Sequence, residues 1–363
     1  MGAAVATSLR TQAAPARIVL LGTGGVGRAV LRRMADMRER GIASDFELVG
    51  VANSRCGLRG DALQPLQCMD PVAALSRATT PEWVDEIHAA PAPAPGRRVV
   101  IDATASDAVA ARHAQWLAQG IDVVTANKLG QGASLLRWQA IRAALSSGRA
   151  RYGDAATVGA GLPLLRTIRA LTAGGDQILS VAGVLSGSLA WLFDRFDGSR
   201  PFSDLVREAR DRGYTEPDPR DDLSGVDVRR KLLILVRAAG IALDENEIVV
   251  SPLFDDRVAN APAAAVDAAL SRLDAPLRLR LDAAKSRGAR LGLVARWRPG
   301  AASVGVEALA AGDELAHGCG TDNRVAIHSS RYHDRPLLIQ GPGAGVDVTA
   351  AALLDDLAEM LAR

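Results

Sequence analysis

The stretch Arg17-Ile-Val-Leu-Leu-Gly-Thr-Gly-Gly-Val-Gly-Arg-Ala-Val-Leu-Arg-Arg-Met34 decides the fold. Ile18 to Leu21 are apolar without polar alternation, as expected of a strand covered on both faces. Gly22-Thr-Gly-Gly-Val-Gly27 follows, and Arg28 to Met34 has helical periodicity. Between a strand and a helix, each glycine has its own use. Gly22 allows a tight turn, Gly24 lets the backbone approach a pyrophosphate, and Gly27 permits close helix–strand packing. The helix start, with Gly25 and Val26, offers N–H groups to the anion. The segment therefore marks a dinucleotide-binding loop; a Gly-rich turn without ligand is the alternative.

Further strands read outward from it: Phe46–Ala52, Arg98–Ala103 and Ile121–Thr125, the last two separated by a helix around Ala108 to Gln119. A Pro/Ala-rich connector covers Ala90 to Gly96. Strands alternating with helices predict an α/β chain built on a Rossmann-type doubly wound parallel sheet. The second strand ends in Ala52-Asn53-Ser54-Arg55, where an NAD-preferring site usually offers a carboxylate to the ribose hydroxyls. None is present, and Arg55 suits a 2′-phosphate, which favours NADP over NAD; a solvated loop arginine is the alternative. Ala103-Thr104-Ala105-Ser106 and Ala126-Asn127-Lys128 are strand ends facing the same crevice, so Thr104, Ala105 and Lys128 join the candidates.

Beyond Tyr152 the texture changes to an α+β pattern. Gln177–Val184, Arg290–Arg296 and Asn323–His328 read as strands. Helices are expected over Leu189–Phe193, Val226–Ala239 and between Asp267 and Lys285, and an amphipathic helix over Val346–Leu361 follows the loop Gly341–Gly345. The expected organisation is a dinucleotide-binding domain over 16–151 plus 340–363, a substrate-binding and dimerisation domain over 152–339, and a flexible tail over 1–15.

A chain of 363 residues, 48% apolar and 23% charged, has the composition of a soluble protein of about two domains. Lys+Arg 43 against Asp+Glu 41, with no basic run, argues against nucleic acid or an anionic membrane as partner. No apolar stretch approaches the ~20 residues of a membrane span. Cys56, Cys68 and Cys319 have no metal-ligand spacing, as in a reducing cytoplasm.

Gly213-Tyr-Thr-Glu-Pro-Asp-Pro-Arg-Asp-Asp-Leu-Ser-Gly-Val-Asp-Val-Arg-Arg-Lys231 feeds acidic residues into the apolar Leu232–Val236. Asp227 and Lys231 stand four apart and share a helix face. A lysine at the mouth of a buried helix is a candidate proton-transfer group, because burial moves its pKa toward neutrality. A solvated i,i+4 pair is the bland alternative. Asp218, Asp221 and Asp222 read as loop and cap residues.

In order, GTGGVG, VANSR, TANK, ATVGAGLPLLRT, GVLSGS, GYTEPDPRDDLSGVDVRRK, GTDN and IQGPGAG resemble the homoserine dehydrogenases over nearly the whole chain. The resemblance implies NAD(P)-dependent interconversion of L-aspartate 4-semialdehyde and L-homoserine, on the route to threonine and methionine. It implies that Lys231 is the proton donor and acceptor, that Glu216 and Asp227 bind homoserine, and that Lys128 touches cofactor and substrate. Asp227 would share in catalysis, Gly213 and Gly345 would lie against the cofactor with Gly213 also at the substrate, and the chain would form a homodimer. Because the chain ends soon after the GPGAG helix, a short form is expected, without an ACT domain or a fused aspartokinase. Family members hold a sodium ion through a carboxylate and nearby carbonyls, here those of Val158, Ala160 and Leu162. At the carboxylate position this chain has Ala155, with Asp154 one residue earlier, which puts the cation site in doubt. Ala190 and Trp191 replace the commoner Asn and Tyr, so a different pocket wall is expected.

Two other readings compete. An aspartate-semialdehyde dehydrogenase needs a cysteine nucleophile, and none of the three cysteines has a suitable setting. A non-catalytic NADP-binding sensor would tolerate loss of the lysine and acidic cluster, both of which are present.

Overall fold

The computed structural model describes residues 14–42, 46–59, 96–318 and 320–362. The expected tail as far as residue 13, the connector up to residue 95, and Cys68 and Cys319 lie outside the described residues.

Two six-stranded sheets form the frame. The first contains β1 (Ala16–Leu21), β2 (Phe46–Ala52), β3 (Gly57–Arg59), β4 (Arg98–Asp102), β5 (Asp122–Thr125) and β6 (Tyr152–Gly153), in the order β3-β2-β1-β4-β5-β6. All pairs are parallel except the edge pair β2–β3. The apolar run in β1 has a direct cause. Ile18 and Leu20 enter one core, shared with the helices Gly25–Glu39 and Val346–Leu361, while Val19 and Leu21 enter another with Trp116, Leu117 and Ile141. Successive strand residues point to opposite faces, so a sheet covered twice has no place for polar alternation.

The chain completes this first sheet only at its far end. Ala350, Leu353, Leu357 and Met360 of the Val346 helix pack in the same core as Ile18, Leu20 and Val30. Asp356 of that helix accepts hydrogen bonds from the Ala155 N–H (2.9 Å) and Arg166 (2.6 Å).

The second sheet contains β7 (Ile178–Val184), β8 (Ile248–Val250), β9 (Ala289–Arg298), β10 (Ala301–Ala310), β11 (Asp322–Ser329) and β12 (Leu337–Pro342), in the order β12-β11-β7-β9-β10-β8. Its pairs are antiparallel apart from β8–β10. The helices Leu164–Ala173, Gly187–Arg195, Phe202–Asp211, Val226–Ala238 and Asp274–Lys285 contribute to the core on one face. Leu315 and Ala316 cover part of the other face with Ala182, Val294, Leu309 and Ala326.

Two expected helices are interrupted. The helix around Ala108–Gln119 is split into Asp107–Ala110 and His113–Ala118, and the break brings the His113 ring to Asp102. The stretch from Asp267 to Lys285 is divided by a 3-10 turn, Leu270–Leu273, before Asp274–Lys285 begins. Pro276 explains the restart: without an N–H it fits the first turn of a helix and not its interior.

Candidate active site

The glycine loop at the end of β1 is shaped by what its glycines lack. Gly22 has a φ of 98°, and a Cβ there would lie 2.7 Å from the Ala103 carbonyl oxygen. At Gly27 a Cβ would fall 1.9 Å from the Gly22 carbonyl oxygen, so helix and turn meet too closely for any side chain. Gly24 differs: a Cβ there meets nothing within 4 Å. Two positions are closed by packing and one faces open space at a helix N-terminus, a cradle fit for a pyrophosphate. Val26 packs on the core below, and a Cβ at Gly25 would lie 3.2 Å from the Val346 side chain.

Asn53 ties β2 to this loop, its Nδ2 donating to Thr23 Oγ1 at 2.8 Å. Its Oδ1 accepts the Arg55 N–H (2.8 Å) and the Cys56 N–H (3.0 Å), folding Ser54 and Arg55 into a turn. The Arg55 side chain is exposed and makes no ion pair among the described residues. Thr104 and Ala105 follow β4 directly, and the Thr104 hydroxyl donates to Asp102 at 2.6 Å.

The expected charges converge from both halves of the molecule. Lys128, after β5, reaches Asp227 on the Val226 helix at 2.9 Å, and Lys231 reaches the other Asp227 oxygen at 2.9 Å. Lys231 Nζ also donates to the Leu185 carbonyl at 2.8 Å, just past β7. The Lys231 side chain is 12% exposed, against 35% for Lys128 and 40% for Asp227. Burial pulls the Lys231 pKa below its ordinary value; the Asp227 carboxylate opposes this and the Lys128 ammonium adds to it. Burial alone would raise Asp227, but the two ammonium groups hold it well below the usual carboxylate range. Asp227 is therefore an anion shared between two cations, and Lys231 is a buried ammonium with a weakened hold on its proton.

The acidic loop stands beside this triad. Asp222 accepts the Ser188 hydroxyl (2.7 Å) and the Glu216 backbone N–H (2.8 Å), fixing the loop to the start of the Gly187 helix. Asp218 caps the short helix Pro219–Leu223, accepting the Arg220 N–H at 3.0 Å. Glu216 itself is exposed, and its carboxylate makes no ion pair among the described residues. Gly213 adopts a φ of 70° with open space where a Cβ would be, and Gly345, with φ 139°, precedes the Val346 helix. Trp191 is buried against the Tyr214 ring at 5.3 Å, with the Arg195 guanidinium 4.7 Å from its centre. The tryptophan thus braces the acidic loop.

The donors expected for a cation fit poorly. Both oxygens of the buried Asp154 are taken by Arg169, at 2.6 and 2.7 Å, and the Ala155 N–H is turned to Asp356. The Leu162 carbonyl accepts the Leu164 N–H at 2.8 Å. Val158 is buried, and Ala160 takes a left-handed φ of 50° in the turn between them. Asp154 and Asp356, the two carboxylates of this corner, are thus both engaged by arginines rather than left to balance a monovalent cation.

Several contributors lie inside recognised motifs without a role assigned to them at the site. The Leu185 carbonyl and Ser188 sit in GVLSGS, and Asp222 in the acidic run as a loop residue; a backbone acceptor or a serine has no signature of its own that would mark its part in the site.

A dinucleotide cradle beside a buried, carboxylate-paired lysine defines a nicotinamide-dependent oxidoreductase acting on an alcohol or carbonyl carbon. A family model described as homoserine dehydrogenase matches residues 163–358, and one for the homoserine dehydrogenase NAD-binding domain matches 22–152. A homoserine dehydrogenase of Emericella nidulans is 34% identical, over 96% of this chain and 99% of its own length. The bifunctional aspartokinase/homoserine dehydrogenase 1 of Zea mays chloroplasts is 35% identical over 93% of this chain, which spans 37% of that longer protein. A hyperthermophilic archaeal homoserine dehydrogenase in complex with NADPH has the same fold, with TM-score 0.71, 22% identity and coverage of 94% and 96%. The chain belongs to the homoserine dehydrogenase family, whose members are NAD(P)-dependent oxidoreductases acting on CH–OH groups. Among the described residues, no helix is long and apolar enough to cross a membrane.

Proposed function

We propose that the protein interconverts L-aspartate 4-semialdehyde and L-homoserine with NADP(H), in threonine and methionine biosynthesis. The observation that carries this reading is the Lys128–Asp227–Lys231 triad, with Lys231 held to the Leu185 carbonyl at 2.8 Å. When bound, the reduced nicotinamide supplies the hydride that adds to the aldehyde carbon. As the aldehyde oxygen gains negative charge, the Lys231 ammonium stabilises it and then donates its proton. In the reverse direction neutral Lys231 takes the hydroxyl proton, a step made easier by its depressed pKa.

With both Asp227 oxygens engaged by lysines, that residue orients Lys231 and Lys128 at the substrate. Glu216, exposed on the loop that Asp222 anchors, is the carboxylate assigned to the substrate ammonium. Gly22 to Gly27, Asn53, Ser54, Arg55, Thr104, Ala105, Gly213 and Gly345 would hold the cofactor, Arg55 meeting a 2′-phosphate. The proton transfer is assigned to Lys231, and with Asp154 held by Arg169 we assign no cation to the Val158, Ala160 and Leu162 carbonyls. We further propose a cytoplasmic homodimer whose cofactor domain is the first sheet with the Val346 helix and whose substrate domain is the second sheet. In that division β6 at 152–153 goes with the former and β12 at 337–342 with the latter, a few residues from the expected boundaries at 152 and 340.

The test is the loss of NADPH absorbance on adding aspartate semialdehyde, compared with NADH. Turnover favouring NADPH supports the reading. Tight NADPH binding without oxidation would make the protein a sensor.

A further inference from the structure

A buried polar cluster beneath the crevice takes no part in the hydride or proton transfer. Asp102, at the end of β4, is fully buried, and no lysine or arginine pairs with it among the described residues. Its Oδ1 accepts the Thr104 N–H (2.9 Å) and hydroxyl (2.6 Å). Its Oδ2 accepts Asn127 Nδ2 (3.0 Å) and lies 3.0 Å from His113 Nε2. The other ring nitrogen of His113 meets the Tyr152 hydroxyl at 3.0 Å. Burying a carboxylate is costly even when it is fully hydrogen-bonded, and an apolar core would stabilise the sheet as well. The cluster therefore calls for a reason beyond stability.

That reason lies in what it touches. Asn127 immediately precedes Lys128, and its side chain links both sides of the lysine. Nδ2 also donates to the Ser106 carbonyl (2.9 Å), while Oδ1 accepts the Leu129 N–H (3.1 Å). Gly130 rests directly on the cluster: a Cβ there would lie 2.3 Å from the Tyr152 hydroxyl and 2.9 Å from His113 Nδ1. Farther along, the buried Arg237 of the Val226 helix donates to the Gln131 and Ala133 carbonyls, each at 2.7 Å. The backbone around Lys128 is thus held from below by Asp102 and its partners, and from the Val226 helix by Arg237. Its flexible side chain is left to span a fixed gap to Asp227 at 2.9 Å. Lysine side chains lose substantial rotamer freedom when held, so a fixed base lowers the cost of holding the ammonium in place.

We propose that Asp102, acting through Asn127, is a positioning residue that fixes Lys128 against Asp227. The proposal rests on the assignment of Lys128 as a substrate-contacting group. Its test is a double-mutant cycle in homoserine oxidation with Asn127→Ser, Lys128→Met and the pair, each checked for folding by thermal melting. Lys128→Met should lower kcat/KM about 100-fold. Asn127→Ser should raise the KM for homoserine about ten-fold while kcat stays within about three-fold, because Lys231 keeps its own partners. In the Lys128→Met background the same change should cost less than about two-fold. A merely structural role would lower kcat with the active fraction, leave KM in place, and cost the same factor in both backgrounds; that pattern overturns the proposal. Wild-type kinetics for Lys128→Met would instead sink the role given to Lys128. If Asn127→Ser does not fold, Asp102→Asn takes its place in the same cycle, with the same two signatures.

Discussion

The glycine loop at Gly22–Gly27 and the charged triad on the Val226 helix are two halves of one crevice built by opposite means. The first works by leaving atoms out: Gly27 has no room for a methyl group and Gly24 has open space above it. The second works by crowding charges, with two ammonium groups on one carboxylate at 2.9 Å each. A steric site fails when an atom is added, whereas an electrostatic site fails when a charge is removed and the shape is kept. The two failures have different signatures, and each can be sought separately.

The largest effect is expected at Lys231. Lys231→Ala should lower kcat by about 10³-fold, within the range of general acid–base catalysis, while NADPH affinity changes less than about two-fold. Retained kcat would remove the proton-transfer assignment and, with it, the contrast between the halves. Next come two methyl additions to the glycine loop. Gly27→Ala drives a carbon into backbone that no rotamer relieves, and should destabilise the fold by about 3 kcal/mol or more in denaturant melts. Gly24→Ala should leave the melt unchanged and weaken NADPH binding about ten-fold by titration, since its Cβ meets only the ligand's space. Equal stability losses in both would show that Gly24 is also packed, not open.

Arg55→Glu is a smaller change at the rim. It should shift the NADPH/NADH ratio of kcat/KM toward NADH by about ten-fold, the worth of one charged contact to a 2′-phosphate. An unchanged ratio would refute that contact. The smallest effect is on pH. Reduction needs Lys231 protonated, and its pKa lies below the ordinary lysine value, so activity should decline as pH rises through that depressed pKa. Lys128 contributes to the depression, so Lys128→Met should move this alkaline limb to higher pH. A limb moving to lower pH would contradict the charge-sharing geometry.

Four strands of the first sheet, β1, β2, β4 and β5, were legible because a continuous apolar run as short as Ile18–Leu21 between turn residues suits little besides a central strand, while the short edge strands β3 and β6 were not. Half of the second sheet escaped notice for the converse reason. β10, Ala-Ala-Ser-Val-Gly-Val-Glu-Ala-Leu-Ala, is built from small residues and a glycine, and acquires its identity only by pairing along the whole of β9. At the site, Lys231 and Asp227 were visible because a helix sets their spacing. Lys128 was placed by its strand, but not its partner, since the two are joined only by the approach of one sheet to the other. His113, Tyr152 and Arg237 had no signature at all: each acts through a distant backbone or side-chain contact. Glu216 shares its motif with Asp227 but stands exposed on its loop, while Asp222, read as a loop former, ties that loop to Ser188.

The return of the Val346 helix to the first sheet has a consequence for how the molecule is made. During synthesis, β1 and the Gly25 helix leave the ribosome roughly three hundred residues before the segment that covers Ile18, Leu20 and Val30. Until then one face of the nascent sheet lacks its final cover, and closing it is a contact of very high sequence separation, which folds slowly. The helix that follows the glycine loop and the helix that covers it are thus joined only after the whole second sheet has been made, so the first sheet's core is among the last parts of the molecule to close.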